Sequence, residues 1–361
     1  MIPIFDLTRE YRSIAAELNA AFTRTAKNGV FILGQNVSFF EKEFGRYVGV
    51  RCAVGLASGT DALTLGLKAL GVGNGDEVIL PANSYPTAFG VALSGAAIKL
   101  VDVKDDGTMD PAGLAAAITR RTRAVVPVHL YGNPADLRLI QNIIRNKKIF
   151  LVEDAAQAHG TIIAGKKAGS IGTIGCFSFY PTKNLGALGD AGMVVTNNKD
   201  IATCLKRLRM YGETKRYESV EIAGVSRLDE LQAAFLRVKL RHLTTWVTRR
   251  REIAKQYGEE LSGIGDIRFV SADGSSFHLF IIRTKFRDRL QQFLAARGIG
   301  SAIHYPTPIH LVTAFQYLGY KKGDFPVSEA FSQEILSIPI FPLLSDAEVF
   351  RVSSTIKKYF Q

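Results

Sequence analysis

The sequence predicts an α/β protein. A large domain holds a mostly parallel, two-sided central sheet, and a smaller α+β domain follows at the C-terminus. Three observations carry this. Short β-favouring runs alternate with helical patterns through residues 51–197, the signature of crossover units. Runs such as VVPV and FLVE are apolar at consecutive positions, as strands covered on both faces must be. Beyond about residue 225 the pattern becomes one long helical period, then a second, shorter set of strands.

The strands are expected at RCAVGLA (51–57), EVILPA (77–82), AIKLVDV (97–103), RAVVPVHL (123–130), KIFLVEDA (148–155), GCFSFY (175–180) and GMVVTN (192–197). Helical stretches lie between most of them, for example TDALTLGLKAL (60–70) and PADLRLIQNIIRNK (134–147). RLDELQAAFLRVKLRHL then sets Leu228, Leu231, Phe235, Val238 and Leu240 at near-helical spacing. That helix is expected to run on through Arg251 to Leu261, with room for a kink. IRFV (267–270), SSFHLFIIRT (275–284) and GIGSAIHY (298–305) read as strands of the smaller unit, closed by a helix over 346–360. With the long helix as connector, the domains divide as 1–240 and 241–361.

Composition narrows the function classes. The chain of 361 residues is 47% hydrophobic and 22% charged, with no repeats or low-complexity tract, so it can build a sizeable core. Its apolar runs, such as Ile149–Val152, are too short to span a bilayer. MIPIFDLTREY lacks a basic start followed by an apolar block, so no secretory signal is read. Cys52, Cys176 and Cys204 are odd in number and widely spaced; disulfides and a zinc cage are not expected, and a reducing cytoplasm fits. The net charge of +12 points either to solubility alone or to an anionic partner. Thr248–Lys255 is the densest basic run. It reads as a solvated helix face, and no nucleic-acid module accompanies it.

Chemistry concentrates in three places. ASGTDALTLGLKAL runs from strand to Ser58-Gly59-Thr60 to helix: Ser58 can cap the helix, Gly59 permits close approach, and a helix N-terminus suits an anion. GVGNGD (71–76) follows a helix rather than a strand and is rejected as a dinucleotide fingerprint. VEDAAQAHG sets Asp154 and Gln157 at the carboxyl end of a buried strand, where ligands gather in open α/β sheets. His159 reads as a local hydrogen-bonding residue. Finally, CFSFYPTKNLGALGDAG places Lys183 among Phe177, Phe179, Tyr180 and glycines that look mobile and open. A desolvated lysine there would lose proton affinity and become a nucleophile. These groups match what pyridoxal phosphate (PLP) needs: a lysine for its aldehyde, an acid for its ring nitrogen, phosphate donors from Ser58 to Thr60 with Ser178, and a flat partner in Tyr85.

Taken together, SGTDAL (58–63), GDEVILPANSY (75–85), VEDAAQAHG (152–160), FSFYPTKNLGALGDAG (177–192), RLDELQAA (227–234) and HYPTPIH (304–310) resemble the nucleotide-sugar aminotransferases of the DegT type. These belong to the fold-type I, aspartate-aminotransferase-like PLP enzymes. The resemblance covers nearly the whole chain. It implies Lys183 as the Schiff-base lysine, Asp154 on the pyridine nitrogen, Gln157 on the ring oxygen, Tyr85 stacked on the ring, and Gly59, Thr60 and Ser178 as the phosphate cup. It implies transfer of an amino group from glutamate to a keto sugar on a nucleoside diphosphate, by a homodimer with shared sites. The basic charge would steer such a substrate.

HYPTPIHL, FQYLGYKKGDFP and YGETKRYES resemble the subset acting on carbon 3 of a dTDP-linked 3-keto-6-deoxyhexose. Tyr180, Lys215, Tyr217, His304, Tyr305 and His310 are then the expected substrate contacts. A metal reading of His304 and His310 lacks a third ligand. A carbon-4 aminotransferase on a UDP- or dTDP-4-keto sugar is the alternative. A PLP-dependent sugar dehydratase is disfavoured, since such relatives replace the lysine with histidine; a non-catalytic binding protein is the remaining reading. Two positions depart from the family pattern: Val225 and Met210 stand where Asn is usual. Valine cannot donate the hydrogen bond that the family's Asn sends to the partner's PLP phosphate.

Overall fold

Each predicted strand of the first half forms, and all seven join one sheet. In chain order they are β1 (Cys52–Leu56), β2 (Glu77–Pro81), β3 (Ala97–Val101), β4 (Thr122–Val125) and β5 (Phe150–Asp154). After a small hairpin, β6 (Ile162–Ile163) and β7 (Lys166–Lys167), come β8 (Ile174–Ser178) and β9 (Gly192–Thr196). The computed structural model describes all 361 residues and gives the sheet order β1-β9-β8-β5-β4-β2-β3. Only β9 runs against the rest. β4 is shorter than its apolar run because Pro127 has no N–H to donate; the ladder resumes past it, where Val128 bridges Asp154.

Alternate side chains of these strands feed opposite cores. Val54, Leu56, Val152, Cys176 and Val194 pack on one face. That face is covered by α3 (Gly59–Ala69), α4 (Tyr85–Ser94) and α7 (Lys199–Leu208), the third, fourth and seventh helices in chain order. On the other face Ala53, Phe177, Met193 and Val195 meet α2 (Gln35–Val48) and α8 (Glu230–Leu261), while Val125 and Leu151 meet α5 (Pro111–Ala117) and α6 (Leu137–Ile144).

Two amphipathic helices at the N-terminus, α1 (Leu7–Asn28) and α2, add to the expected elements. The carboxylate of Glu230 accepts from the N–H groups of Asn36 and Val37 at 2.9 and 2.8 Å, so the first residue of α8 caps α2. α8 is one continuous helix of 32 residues. Its first half packs on the large sheet through Leu236, Leu243 and Val247. Its last turns, with Ile253, Tyr257 and Leu261, pack in the C-terminal core.

That core surrounds a three-stranded sheet, β12 (Arg268–Val270), β13 (Phe280–Arg283) and β14 (Ile335–Ile338); a short hairpin, β10 (Glu213–Lys215) and β11 (Glu218–Ser219), precedes it. GIGSAIHY is not one of its strands, contrary to expectation: Ile299 and Ala302 make only single bridges, to Ile2 and Ser337. The third strand is β14. Helices α9 (Arg287–Ala295), α10 (Pro326–Glu334) and α11 (Asp346–Phe360) complete the unit. No helix is long and apolar enough to cross a membrane.

Candidate active site

The carboxyl ends of the parallel strands converge on a cavity of about 300 Å³ lined by Ser58, Gly59, Thr60, Asp154, Gln157, Ser178, Tyr180, Lys183 and Tyr305. This is where an open α/β sheet exposes its ligand crevice.

The first wall is the β1–α3 turn. Ser58 is the N-cap of α3, and its Oγ accepts from the N–H of Asp61 at 3.0 Å. The N–H groups of Gly59 and Thr60 therefore have no partner within the helix and form the positive end of its dipole. A side chain on Gly59 would put its Cβ 2.6 Å from that of Ser178, and one on Gly192 would fall 2.0 Å from the carbonyl oxygen of Ser58. Only glycine permits this packing. The Ser58 oxygen accepts the capping bond and its proton stays free to donate, so the candidate anion donors are the two backbone N–H groups with the hydroxyls of Ser58, Thr60 and Ser178.

Asp154 ends β5 and is 4% exposed. Its Oδ2 accepts from the hydroxyl of Thr87 at 2.6 Å, and its Oδ1 from the N–H of Ala156 at 3.1 Å. Burial pushes its proton affinity up. Opposite it, burial brings the Lys183 amine down to about 8, against the pull of Asp154. The two groups line one cavity and form no direct ion pair, which leaves room for a ring between them.

Gln157 is oriented by backbone. The N–H of Tyr131, a buried residue held at φ 63°, donates to its Oε1 at 2.7 Å. A backbone N–H can only donate, so the amide nitrogen faces the cavity, where it also donates to the hydroxyl of Tyr305 at 3.3 Å. Burial pushes the Tyr305 phenol up to about 12, keeping it a neutral hydroxyl.

The lysine loop is tighter than its sequence implies. Phe179 and Ala187 hydrogen-bond across it at 2.8 Å, and the N–H of Leu188 donates to Gln232 at 2.8 Å. A Cβ on Gly186 would lie 2.1 Å from the carbonyl oxygen of Pro181. Phe177 and Phe179 turn into the core against Phe44; of the three aromatic neighbours only Tyr180 lines the cavity. The local hydrogen bonding expected of His159 is not made. Its buried ring sits among Phe44, Phe177 and Phe179 with neither nitrogen partnered, and burial lowers it to about 3.

The other expected contacts divide. Tyr85 lies outside the main cavity: it lines an adjoining hollow of about 400 Å³ shared with Tyr305, the two rings 5.8 Å apart. The Nδ1 of His304 pairs with the hydroxyl of Ser337 at 2.8 Å. His310 does not reach the cavity. It is buried against Phe325 with its Nε2 on Glu329 at 2.9 Å, which corrects the expectation of a substrate contact to an internal hydrogen bond. Lys215 and Tyr217 lie on the exposed β10–β11 hairpin, Tyr217 82% exposed. Thr87 and Asp190 line the cavity without having been anticipated. Thr87 lies 67 positions from the carboxylate it touches, and no spacing rule connects the two.

A cavity with an anion cup at one end, a buried carboxylate in no direct ion pair, an outward-facing amide and a lysine of low proton affinity fits pyridoxal phosphate. Comparison with known proteins agrees. The chain is 41% identical, over 99% of its length and 96% of the relative's, to the dTDP-3-amino-3,4,6-trideoxy-alpha-D-glucose transaminase of Streptomyces venezuelae. It is 40% identical, over 99% and 97%, to the UDP-N-acetyl-3-dehydro-alpha-D-glucosamine 3-aminotransferase of Acidithiobacillus ferrooxidans. Among solved structures, S. venezuelae DesV in complex with a ketimine intermediate superposes with a TM-score of 0.98 at 40% identity, covering 100% of this chain and 98% of that one. NtdA from Bacillus subtilis with bound cofactor PMP, the amino form of PLP, does so with a TM-score of 0.92 at 28% identity, covering 99% and 85%. Because the profile of the DegT/DnrJ/EryC1/StrS aminotransferase family matches residues 12–357, and its cofactor has a cavity here built to receive it, the chain belongs to that family of PLP-dependent aminotransferases.

Proposed function

We propose that this aminotransferase moves an amino group from L-glutamate to carbon 3 of a dTDP-linked 3-keto-6-deoxyhexose, and that it does so in the cytoplasm as a homodimer with shared sites. The convergence of Lys183, Asp154, Gln157 and the Gly59–Thr60 N–H groups on one cavity supports the chemistry. Full-length similarity to a dTDP-3-amino sugar transaminase supports the acceptor.

PLP, when bound, supplies an aldehyde and an electron-withdrawing ring through which an amino group leaves one substrate and joins another. The chain supplies the rest. Gly59, Thr60 and Ser178 bind the phosphate. Asp154 holds a proton on the ring nitrogen by charge pairing. Gln157 Nε2 donates to the ring oxygen. Lys183 Nζ would hold the cofactor's aldehyde and, as a free amine, would serve as the base that accepts and returns the substrate's proton. Tyr85, Tyr180 and Tyr305 line this cavity or the hollow beside it, in position to orient the sugar.

The dimer reading rests on exposed apolar surface. Val30, Phe31, Ile32 and Phe39 are exposed around a groove of about 960 Å³ between α1, α2 and α8, and Tyr211, Tyr217, Val220, Ile222 and Val225 follow one another on an exposed arm. Soluble monomers rarely leave so much apolar surface bare. That arm also carries Lys215, which would then reach a second copy's site.

A UDP-linked acceptor is a second reading, favoured by the similarity to the UDP-sugar 3-aminotransferase. Incubation with glutamate and a panel of dTDP- and UDP-keto sugars, with products read by mass and NMR, tests both. Amination at carbon 4, or no turnover of any dTDP sugar, refutes the proposal.

A further inference from the structure

The strongest unassigned contact in the cavity is the short hydrogen bond behind the ring-facing carboxylate. Thr87 sits in the first turn of α4, 2% exposed, and its hydroxyl lies 2.6 Å from Asp154 Oδ2. That hydroxyl has no other partner in the chain. The second carboxylate oxygen accepts from the N–H of Ala156 at 3.1 Å. Two donors, one on α4 and one just past β5, thus fix the carboxylate, and its remaining lone pairs are left for the cavity.

The polarity of the contact matters as much as its length. A hydroxyl has one proton to give. Facing an ionised carboxylate, Thr87 gives it and is satisfied. Facing a protonated one, it either donates to a neutral carbonyl oxygen, a bond about half as strong, or must accept and leave its own proton without a partner in a buried site. Thr87 therefore favours the charged form of a carboxylate that burial pushes towards the neutral one. The groups whose charge reaches Asp154 are Lys183, His129, Tyr305 and Cys176. The last two are neutral, and the Nδ1 of His129 accepts from the N–H of Ala135 at 3.0 Å, so its other nitrogen carries the proton and donates to Glu153 at 3.0 Å. Lys183 is then the one cation of the chain available to Asp154, and it is also the group that would hold the cofactor's aldehyde.

We propose that Thr87 is a positioning residue that keeps Asp154 ionised and aimed at the cofactor's ring nitrogen. This rests on the cavity being the PLP site. Hydrogen bonds to charged groups make Thr87 worth roughly ten- to a hundredfold in cofactor affinity.

The test compares full-length wild type with Thr87→Val, nearly the same shape without the donor, and Thr87→Ser, which restores it. Affinity of the apo-protein is measured for PLP and for 1-deazapyridoxal phosphate, which lacks the ring nitrogen. The expected result is at least a tenfold loss of PLP affinity in T87V and near wild-type affinity in T87S. Affinity for the deaza analogue should be the same in all three, with kcat falling in T87V and KM for the sugar unchanged. If T87V does not fold, as judged by its apo melting curve, Thr87→Ala carries the same comparison. Unchanged PLP affinity in the folded variant, failure of T87S to recover, or an equal loss for the deaza analogue overturns the proposal. A wild type that binds no PLP overturns the cofactor reading and the proposal with it.

Discussion

The free amine of Lys183 sets how fast the apo-enzyme captures its cofactor. An ordinary lysine titrates at 10.5, and this one at about 8. At pH 7.5 the reactive fraction rises from ~0.1% to ~24%, roughly two hundredfold. The neighbouring groups leave this titration clean. Burial holds His159 at about 3, His304 at about 4 and His278 well below its ordinary value, while Tyr305 lies at about 12. Between pH 6 and 10, capture by apo-protein mixed with excess PLP should follow one sigmoid centred near 8, read by stopped-flow absorbance. Borohydride should fix the label on the peptide carrying Lys183. Asp154→Asn removes the charge that stabilises the ammonium, so the midpoint must move down. A midpoint above about 9.5, or an upward shift in D154N, refutes the electrostatic account.

Three further outcomes are expected. Val225 is exposed and pairs by backbone with Met210, on whose sulfur the guanidinium of Arg227 rests at 3.4 Å; Val225→Asn should tighten PLP several-fold in equilibrium dialysis, and no gain counts against a cross-subunit phosphate contact. If the proposed homodimer forms through the exposed arm, Ile222→Lys should halve the mass read by light scattering and weaken PLP binding; an unchanged mass removes this arm from the interface. Glu348 meets Arg9 through paired bonds of 2.7 and 2.8 Å and is drawn down to about 2. Its carboxylate therefore stabilises the fold above its ordinary 4.5 and loses that effect as pH falls towards 2. Because the pair is partly solvated, Glu348→Gln should cost only about 1 kcal/mol at pH 7 and flatten the acid limb of a denaturation series.

The large sheet was legible because each strand is a buried β-favouring run between polar caps, a signal that local chemistry alone produces. The C-terminal sheet was not. Ile335–Ile338 is four residues between a helix and Pro339, too short to carry a period, while GIGSAIHY has strand composition but meets partners at only two points. The histidines show the same limit. His304 and His310 sit six positions apart in one motif, yet one turns to Ser337 of β14 and the other to Glu329 of α10; the partners lie 33 and 19 positions further along the chain.

The lysine loop is the most instructive case, because composition and packing point opposite ways. Gly186 and Gly192 in isolation signal freedom. In the fold a Cβ at either would lie about 2 Å from a carbonyl oxygen, that of Pro181 or of Ser58, so each glycine marks a place where backbone presses on backbone. The second contact joins the strand after the lysine loop to the turn that forms the anion cup. Lys183 and the Ser58–Thr60 turn are thus referenced to one another through main chain, and a cofactor held by both would find them at a fixed distance. Gly192→Ala should accordingly weaken phosphate and PLP together while leaving the amine's titration in place, a separation that a merely flexible loop would not produce.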